Sequence, residues 1–521
     1  MQSRTRTSTL VILLLGMSTA FAETPQEWYR QGQRAVQEAK KLKPITGRAK
    51  NVILMIGDGM GISTVTAARI LEGQLRGMPG EENLLSFEKM PYTALIKTYT
   101  TNEQVSDSAG TMSAIVTGVK TKSGVISVDQ EIDVGDFAST AAHSPATIFE
   151  LAERAGRSTG IVSTTRITHA TPAACYAHSP HRAWEDDSRM PRGAAGAGFP
   201  DIARQLIEFS YGDGLDIVLG GGRRHFLPNT VKDPENPKLT GWRKDKRNLV
   251  AEWSARPGAR YIWNKRQFDQ LEVNGKGQVL GLFSWSNMAY EHDRPTDTAG
   301  EPSLSEMTAK AIEFLARKNT GYLLMVEGGR IDHAHHDANA YRALTDTIEF
   351  AGAVRVALSK TDRRDTLVIV TADHSHVFTM GGHPVRGNPI FGKVVENDRR
   401  GHAKSVPAVD GLGLPFTTLG YANGPGYTGR APGQPEGPKR LPPPRKGYEG
   451  ITKGRPDLTH VDTGHHSYLF ECAVPMAYES HGGEDVPLYA DGPHAYLFRG
   501  VMEQNVIFHV MVEAMGLETK P

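Results

Sequence analysis

From residue 51 onward, short apolar runs alternate with longer helical patterns; the runs lie at 52–56, 160–163, 216–219, 322–326 and 367–370. Continuous apolar runs of this length suit strands covered on both faces. Their alternation with helical periodicity predicts an α/β fold, a doubly wound, mostly parallel sheet with helices on both sides. Upstream, residues 24–43 have the pattern of a separate helix. Thr24 and Glu27 have capping-box spacing, Pro25 takes the first helical position and Pro44 ends the helix. Its apolar side is Trp28, Ala35, Val36, Ala39 and Leu42. Such a stripe lies either on its own domain or against a partner subunit, and periodicity does not choose between them. Over residues 380–465 the texture changes to Gly, Pro and polar residues, including Pro442, Pro443 and Pro444, which predicts an inserted loop-rich subdomain.

Composition narrows the class. The chain has 521 residues, with 59 Lys+Arg against 58 Asp+Glu and a formal net charge of +1, so no polyanion-binding footprint is present and nucleic acid is not expected as a specific partner. With 39% apolar and 22% charged residues, disorder, collagen and disulfide scaffolds are excluded. Two cysteines occur, Cys175 and Cys472, and both are expected to be free thiols. At the N-terminus, Arg4 and Arg6 precede an apolar stretch over 10–16, and Ala20-Phe21-Ala22 forms a small-residue cleavage site. This is the pattern of a secretory signal over residues 1–22, too short for a membrane span, which needs about 18 apolar residues. The chain end, 516–521, carries no hydrophobic tail. The expectation is an exported protein, periplasmic or secreted, without a membrane anchor.

Ligands in open α/β sheets bind beyond the carboxyl ends of the strands, and here those ends carry metal-ligand residue types. The first run leads into Gly57-Asp58-Gly59-Met60-Gly61, which alone is compatible with ordinary turn chemistry. The run at 322–326 leads into Glu327, then Asp332, His333 and His336. Asp332 and His336 share a helix face if the segment is helical, with Cβ atoms about 6 Å apart, a spacing that suits one zinc ion. The last run ends in Asp373 and His374, with His376 beyond, and a fourth segment carries Glu479 and His481. Each could be structural alone. Together, four segments from distant parts of the chain point to zinc, with magnesium at the carboxylate-rich corner.

Ser108 opens a run of small residues that has the character of a closely packed helix, placing its hydroxyl where backbone N–H groups favour an anion; a plain capping serine is the alternative. No Gly-x-Ser-x-Gly elbow is present, so a serine esterase is disfavoured, and a coordinated metal is the available activator. Arg182 offers a guanidinium able to fork two phosphate oxygens.

These motifs, Gly57 to Gly61, Val105 to Gly110, Val326 to His336 and Thr371 to His376, resemble those of the alkaline phosphatases, and the similarity extends from about Trp28 to about Met515. The resemblance implies a phosphomonoesterase with two zinc ions and one magnesium ion per subunit. It implies that Ser108 becomes phosphorylated and that Arg182 holds the phosphoryl oxygens. One zinc would take Asp332, His336 and His481, the other Asp58, Asp373 and His374, and magnesium would take Asp58, Thr171 and Glu327. His169 and His333 stand where the best-known bacterial members carry Asp and Lys, which places the chain with the animal-tissue branch; with His376 they would flank the ligands. The same branch implies a homodimer, an N-terminal strap over 23–44, a core over 45–379 and 466–521, and a crown-like insert over 380–465. That branch also carries a calcium-like site. Here Ser284 follows Phe283 in place of an acid, although Glu235 and Glu301 match other ligands, so a fourth site is not expected. The remaining alternatives are a phosphodiesterase of the same superfamily and a catalytically silent metal- or phosphate-binding protein. A sulfatase is excluded, because Ser108 is not followed by the x-Pro-x-Arg that sulfatases require.

Overall fold

The five central runs form strands because each is buried on both faces. In a computed structural model, which describes residues 24–518, the strands Tyr322–Glu327 and Thr366–Thr371 are buried throughout, and Asn51–Ile56 is buried after its first residue. The candidate signal of residues 1–22 lies outside the described residues. The strands assemble into one ten-stranded sheet in the spatial order Val501–Glu503, Tyr92–Lys97, Val486–Asp491, Thr366–Thr371, Asn51–Ile56, Tyr322–Glu327, Ser158–Arg166, Ile217–Gly221, Val279–Leu282, Arg260–Ile262. Every pairing is parallel except those of Val486–Asp491, which runs against both neighbours. The sequence pattern predicts the centre of this sheet and misses its flanks. Tyr92–Lys97 alternates exposed and buried positions, and Arg260–Ile262 and Val501–Glu503 are each three residues long, so none of the three produces a long unbroken apolar run.

Helices cover the sheet. Leu304–Lys318 starts at a reciprocal capping box between Ser303 and Glu306, Ala340–Lys360 starts at Asn339, and the two pack together. Ser108–Thr117 is buried along its whole length, as its small side chains permit. It ends at Gly118 in the left-handed conformation, against the Phe508 ring. Residues 378–475 carry a small sheet of Phe378–Met380, Leu419–Gly424 and Cys472–Pro475, surrounded by irregular chain. Both cysteines are free and buried. The N-terminal helix, Pro25–Lys41, forms a unit of its own: Thr24 Oγ1 accepts the Glu27 N–H at 3.2 Å, Pro25 lies in the first turn, and no residue of the helix is buried.

The Asn51–Ile56 and Thr366–Thr371 strands run side by side into two turns that almost touch. Gly59 sits at φ +69°, and a Cβ there would lie 2.4 Å from the His376 ring; its N–H donates to Asp373 Oδ1 at 3.1 Å. Gly61 faces Ser375 even more closely, at 1.9 Å from a built Cβ to Oγ. Gly59→Ala is therefore expected to destabilise the fold by about 2 kcal/mol or more, from backbone strain and the clash together. The check is a lowered urea midpoint measured in the presence of chelator, so that metal loss does not contribute.

Candidate active site

The strand ends deliver one carboxylate each to a common volume: Asp58 after Asn51–Ile56, Glu327 at the end of Tyr322–Glu327, and Asp373 after Thr366–Thr371. Asp332 and His336 come from the helix Arg330–His336, and the i, i+4 spacing read from the sequence places His336 Nε2 3.3 Å from Asp332 Oδ1. His481 arrives on the short strand His481–Gly482, paired antiparallel with Ser375–His376. Its Nε2 lies 3.4 Å from Asp332 Oδ1 and 3.2 Å from His336 Nε2. These three residues form one corner. In a second corner, His374 Nε2 lies 3.3 Å from Asp58 Oδ1, 3.6 Å from Asp373 Oδ2 and 3.1 Å from Ser108 Oγ. The two corners adjoin, with the His374 and His481 rings stacked at 3.6 Å.

The third corner gathers Asp58, Glu327 and His169 within 4.8 Å of one another, with Thr171 buried close by. Glu327 Oε2 accepts from the Ser163 hydroxyl and, at 3.1 Å, from Thr165 Oγ1. Both Asp58 oxygens, Glu327 Oε1, Asp373 Oδ2 and Thr171 Oγ1 are buried without a hydrogen-bond partner. A buried orphan of this kind costs about 1–3 kcal/mol, so five oxygens converging from four residues fit a cation-binding cradle. Carboxylates, imidazoles and a hydroxyl, with no thiolate, suit zinc at the histidine-rich corners and magnesium at the oxygen-rich one.

Ser108 is the first residue of its helix, 2% exposed, and the cap is Asp107 rather than Ser108 itself. Asp107 Oδ1 accepts the Gly110 N–H at 3.0 Å, and Oδ2 accepts the Gly124 N–H at 3.0 Å and Arg182 Nη1 at 2.7 Å. One carboxylate thus starts the helix and aims the guanidinium. Burial raises its pKa, but Arg182 and the backbone donors outweigh this and hold Asp107 below the ordinary range. Arg182 Nη2 lies 3.3 Å from His169 Nε2, and the His169 and His333 rings are 5.5 Å apart. Burial, followed by the nearby Arg166 and Arg182 charges, drives the His169 pKa down to about 3, so the ring is neutral. His376 bridges two carboxylates: Nε2 lies 2.9 Å from Asp332 Oδ1, and Nδ1 contacts Glu479. Although burial alone would lower its pKa, these partners raise it to about 10.

All thirteen residues singled out in the sequence converge here. Sequence reasoning assigned no role to Asp107, Ser163 or Thr165, and named Glu479 only as part of the ligand-bearing segment of His481. The capping position of Asp107 was available as a signal, whereas Ser163 and Thr165 are ordinary strand residues. Of the two carboxylates matched to a calcium-like site, Glu235 pairs with the buried Arg223 guanidinium, and Glu301 accepts the Ala289 N–H at 2.7 Å.

A mostly parallel sheet with three ligand corners at its strand ends and a serine at a helix N-terminus defines a metal-dependent hydrolase of α/β architecture. Residues 49–517 match the alkaline phosphatase family, and the chain belongs to it. It is 44% identical over 499 residues to the tissue-nonspecific alkaline phosphatase of Gallus gallus, covering 94% of this chain and 89% of the relative. With the alkaline phosphatase of Gadus morhua it shares 42% over 497 residues, covering 94% and 97%. The alkaline phosphatase of the Antarctic bacterium TAB5 shares the fold at 23% identity and a TM-score of 0.58, over 90% of this chain and 99% of that one. That of Thermus thermophilus does so at 23% and 0.61, over 92% and 94%. One solved TAB5 variant carries magnesium at a metal site. The protein is a metal-dependent phosphomonoesterase, an alkaline phosphatase in its enzyme class; the phosphodiesterase and silent binding-protein readings are not favoured.

The ligand cluster makes metal-free stability depend on pH. Burial, with the charge of Asp373, raises Glu327 from 4.5 to about 7, and burial, with Asp332, raises Asp373 from 3.8 to about 6. The folded state keeps protons that the unfolded chain releases, so this contribution is complete below the unfolded pKa and is lost as pH rises through the folded one. His169, His333, His335, His336 and His374 are lowered by burial and act oppositely, their contribution growing through the unfolded 6.5 and complete by about pH 8. The alkaline limb is set by His376, which burial alone would lower but Glu479 and Asp332 raise to about 10, so chelated protein is expected to lose stability from about pH 8 to about pH 10, and zinc plus magnesium to restore it most at the upper end. Thermal unfolding across that range checks this, and a pH-independent metal effect would contradict it.

Proposed function

We propose that the enzyme hydrolyses a broad range of phosphate monoesters to alcohol and inorganic phosphate at alkaline pH, through a phosphoserine at Ser108. The observation that carries this reading is the position of Ser108 Oγ, 3.1 Å from His374 Nε2 at a helix N-terminus, beside an Arg182 held by Asp107. We assign Asp332, His336 and His481 to one zinc, Asp58, Asp373 and His374 to the other, and Asp58, Thr171 and Glu327 to magnesium, flanked by His169, His333 and His376. Bound there, the ions supply Lewis acidity, lowering the pKa of a coordinated hydroxyl or water and offsetting charge on phosphoryl oxygens.

The residues then divide the work. Ser108 Oγ loses its proton and attacks phosphorus as the bond to the ester oxygen breaks, and the alcohol leaves with a proton. Arg182 faces the non-bridging oxygens with a planar fork whose direction Asp107 sets, and the dipole of the Ser108–Thr117 helix favours the same negative charge. Water then attacks the phosphoserine, releasing inorganic phosphate and returning the Ser108 hydroxyl. Because charge on the phosphoryl group is what these residues recognise, few contacts to the alcohol are needed, and a broad substrate range follows.

The same reading includes export directed by residues 1–22, a strap over 23–44, a core over 45–379 and 466–521 with the 380–465 insert, and a homodimer. Among the described residues no helix is long and apolar enough to cross a membrane.

The test is p-nitrophenol release at alkaline pH from the p-nitrophenyl monoester and bis ester, using zinc- and magnesium-loaded protein with and without chelator. Fast, chelator-sensitive turnover of the monoester is expected, with the diester slower by orders of magnitude. Ser108→Ala should lower turnover roughly a thousandfold or more and abolish phosphoenzyme while keeping its metal. Undiminished turnover in that variant would remove Ser108 from the mechanism.

A further inference from the structure

Of the three ligand corners, that of Asp332, His336 and His481 faces outward. The His336 side chain is 24% exposed and His481 15%, whereas Asp332 is 5% exposed and Asp58 and His374 are 0%. Ser108 sits on the closed side, against His374. An in-line displacement started from the closed side sends the departing alcohol outward past His336 and His481.

An aromatic ring stands at that exit. The Tyr478 ring lies edge to face with the His336 ring at 6.4 Å and is 56% exposed. Its backbone is tied to the same histidine through the next residue: the Glu479 N–H donates to the His336 carbonyl at 2.9 Å, and the Glu479 carbonyl lies 2.5 Å from His336 Nδ1. The Arg445 guanidinium, from the irregular segment, lies 4.1 Å from the Tyr478 ring centroid. Arg445 is itself held at both ends of its fork, by the Ala477 carbonyl at 2.7 Å and by Asp337 at 2.5 Å. The Tyr448 hydroxyl lies between the carbonyls of Pro444 at 2.6 Å and Met476 at 3.0 Å, its one proton shared between them, bridging the turn that carries Arg445 and the stretch that carries Tyr478. With Arg445 over the ring and His336 against it edge to face, the exposed Tyr478 ring gives up less rotamer freedom when a second ring stacks on it.

We propose that Tyr478, held by Arg445, is a leaving-group platform that selects aryl phosphates over small alkyl phosphates by stacking on the planar alcohol portion of the ester. The proposal rests on the assignment of His336 to the metal on the leaving-group side. An alkyl or polyol alcohol has no π face to offer the ring and gains nothing from it.

The test uses the full zinc- and magnesium-loaded enzyme and two non-hydrolysable probes, benzylphosphonate and methylphosphonate, titrated by calorimetry. Tyr478→Ala is expected to weaken benzylphosphonate about tenfold and leave methylphosphonate unchanged, while Tyr478→Phe, which keeps the ring, stays within about twofold of the parent. In steady-state assays the alanine variant should raise KM for phenyl phosphate and leave that for glycerol phosphate alone. Equal weakening of both probes, or none, would overturn the proposal. His336→Ala tests the underlying assignment separately: it should lose bound zinc and activity on both esters. Full zinc content in that variant would withdraw the metal from beside Tyr478, and the platform with it, whatever the tyrosine variants show.

Discussion

Four carboxylates, Asp58, Glu327, Asp332 and Asp373, share one buried volume at the ends of three adjacent strands and the start of a helix. At separations below about 5 Å and an effective dielectric near 20, each close pair of charges repels by about 3–4 kcal/mol, before any desolvation cost. A few such pairs rival the roughly 5–15 kcal/mol that holds a whole domain folded. Such charges persist together only where protons or cations offset them, as the raised pKa values of Glu327 and Asp373 reflect, and the neighbourhood keeps the carboxylates in place. Gly59 and Gly61 let two strand turns approach within contact of His376 and Ser375, and the Ser163 and Thr165 hydroxyls hold one Glu327 oxygen while the other remains free.

The second feature is asymmetry. The nucleophile side is closed, with Ser108 and His374 out of solvent, while the opposite side opens at His336 and His481. On the closed side, Asp107 both caps the Ser108 helix and holds the Arg182 guanidinium. The irregular segment reaches the metal corner from outside. Tyr421 Oη, on the Leu419–Gly424 strand, lies 2.8 Å from His335 Nδ1 on the helix of Asp332 and His336; from the other side Thr64 Oγ1, in the helix Ile62–Leu75, lies 3.0 Å from the Nε2 of that histidine. Arg445 ties Asp337, at the end of the same helix, to the 476–478 stretch. Chain far from the sheet thus helps orient the ligand-bearing helix, a role for which loop composition offers no sign.

Much was legible because parallel strands covered on both faces must be apolar along their whole length, and because ligands follow strand ends. Residues 52–56, 322–326 and 367–370 therefore announced both the central sheet and the positions of Asp58, Glu327 and Asp373. The flanking strands escaped notice for the complementary reason. Tyr92–Lys97 has an exposed side, and Val486–Asp491 lies antiparallel beyond the centre, so neither carries the same continuous pattern.

By itself the sequence determined the fold class, the motif set and the residue types available for metal chemistry, since local periodicity and spacing are properties of a single segment. The tertiary structure alone decided that Asp107 rather than Ser108 caps the nucleophile helix, that Glu479 contacts His376, and that the His336 and His481 corner is the exposed one. Those relations join residues tens to hundreds of positions apart. Distances and burial of that kind exist only once the chain has packed, because no local pattern carries the geometry of a contact made across the fold.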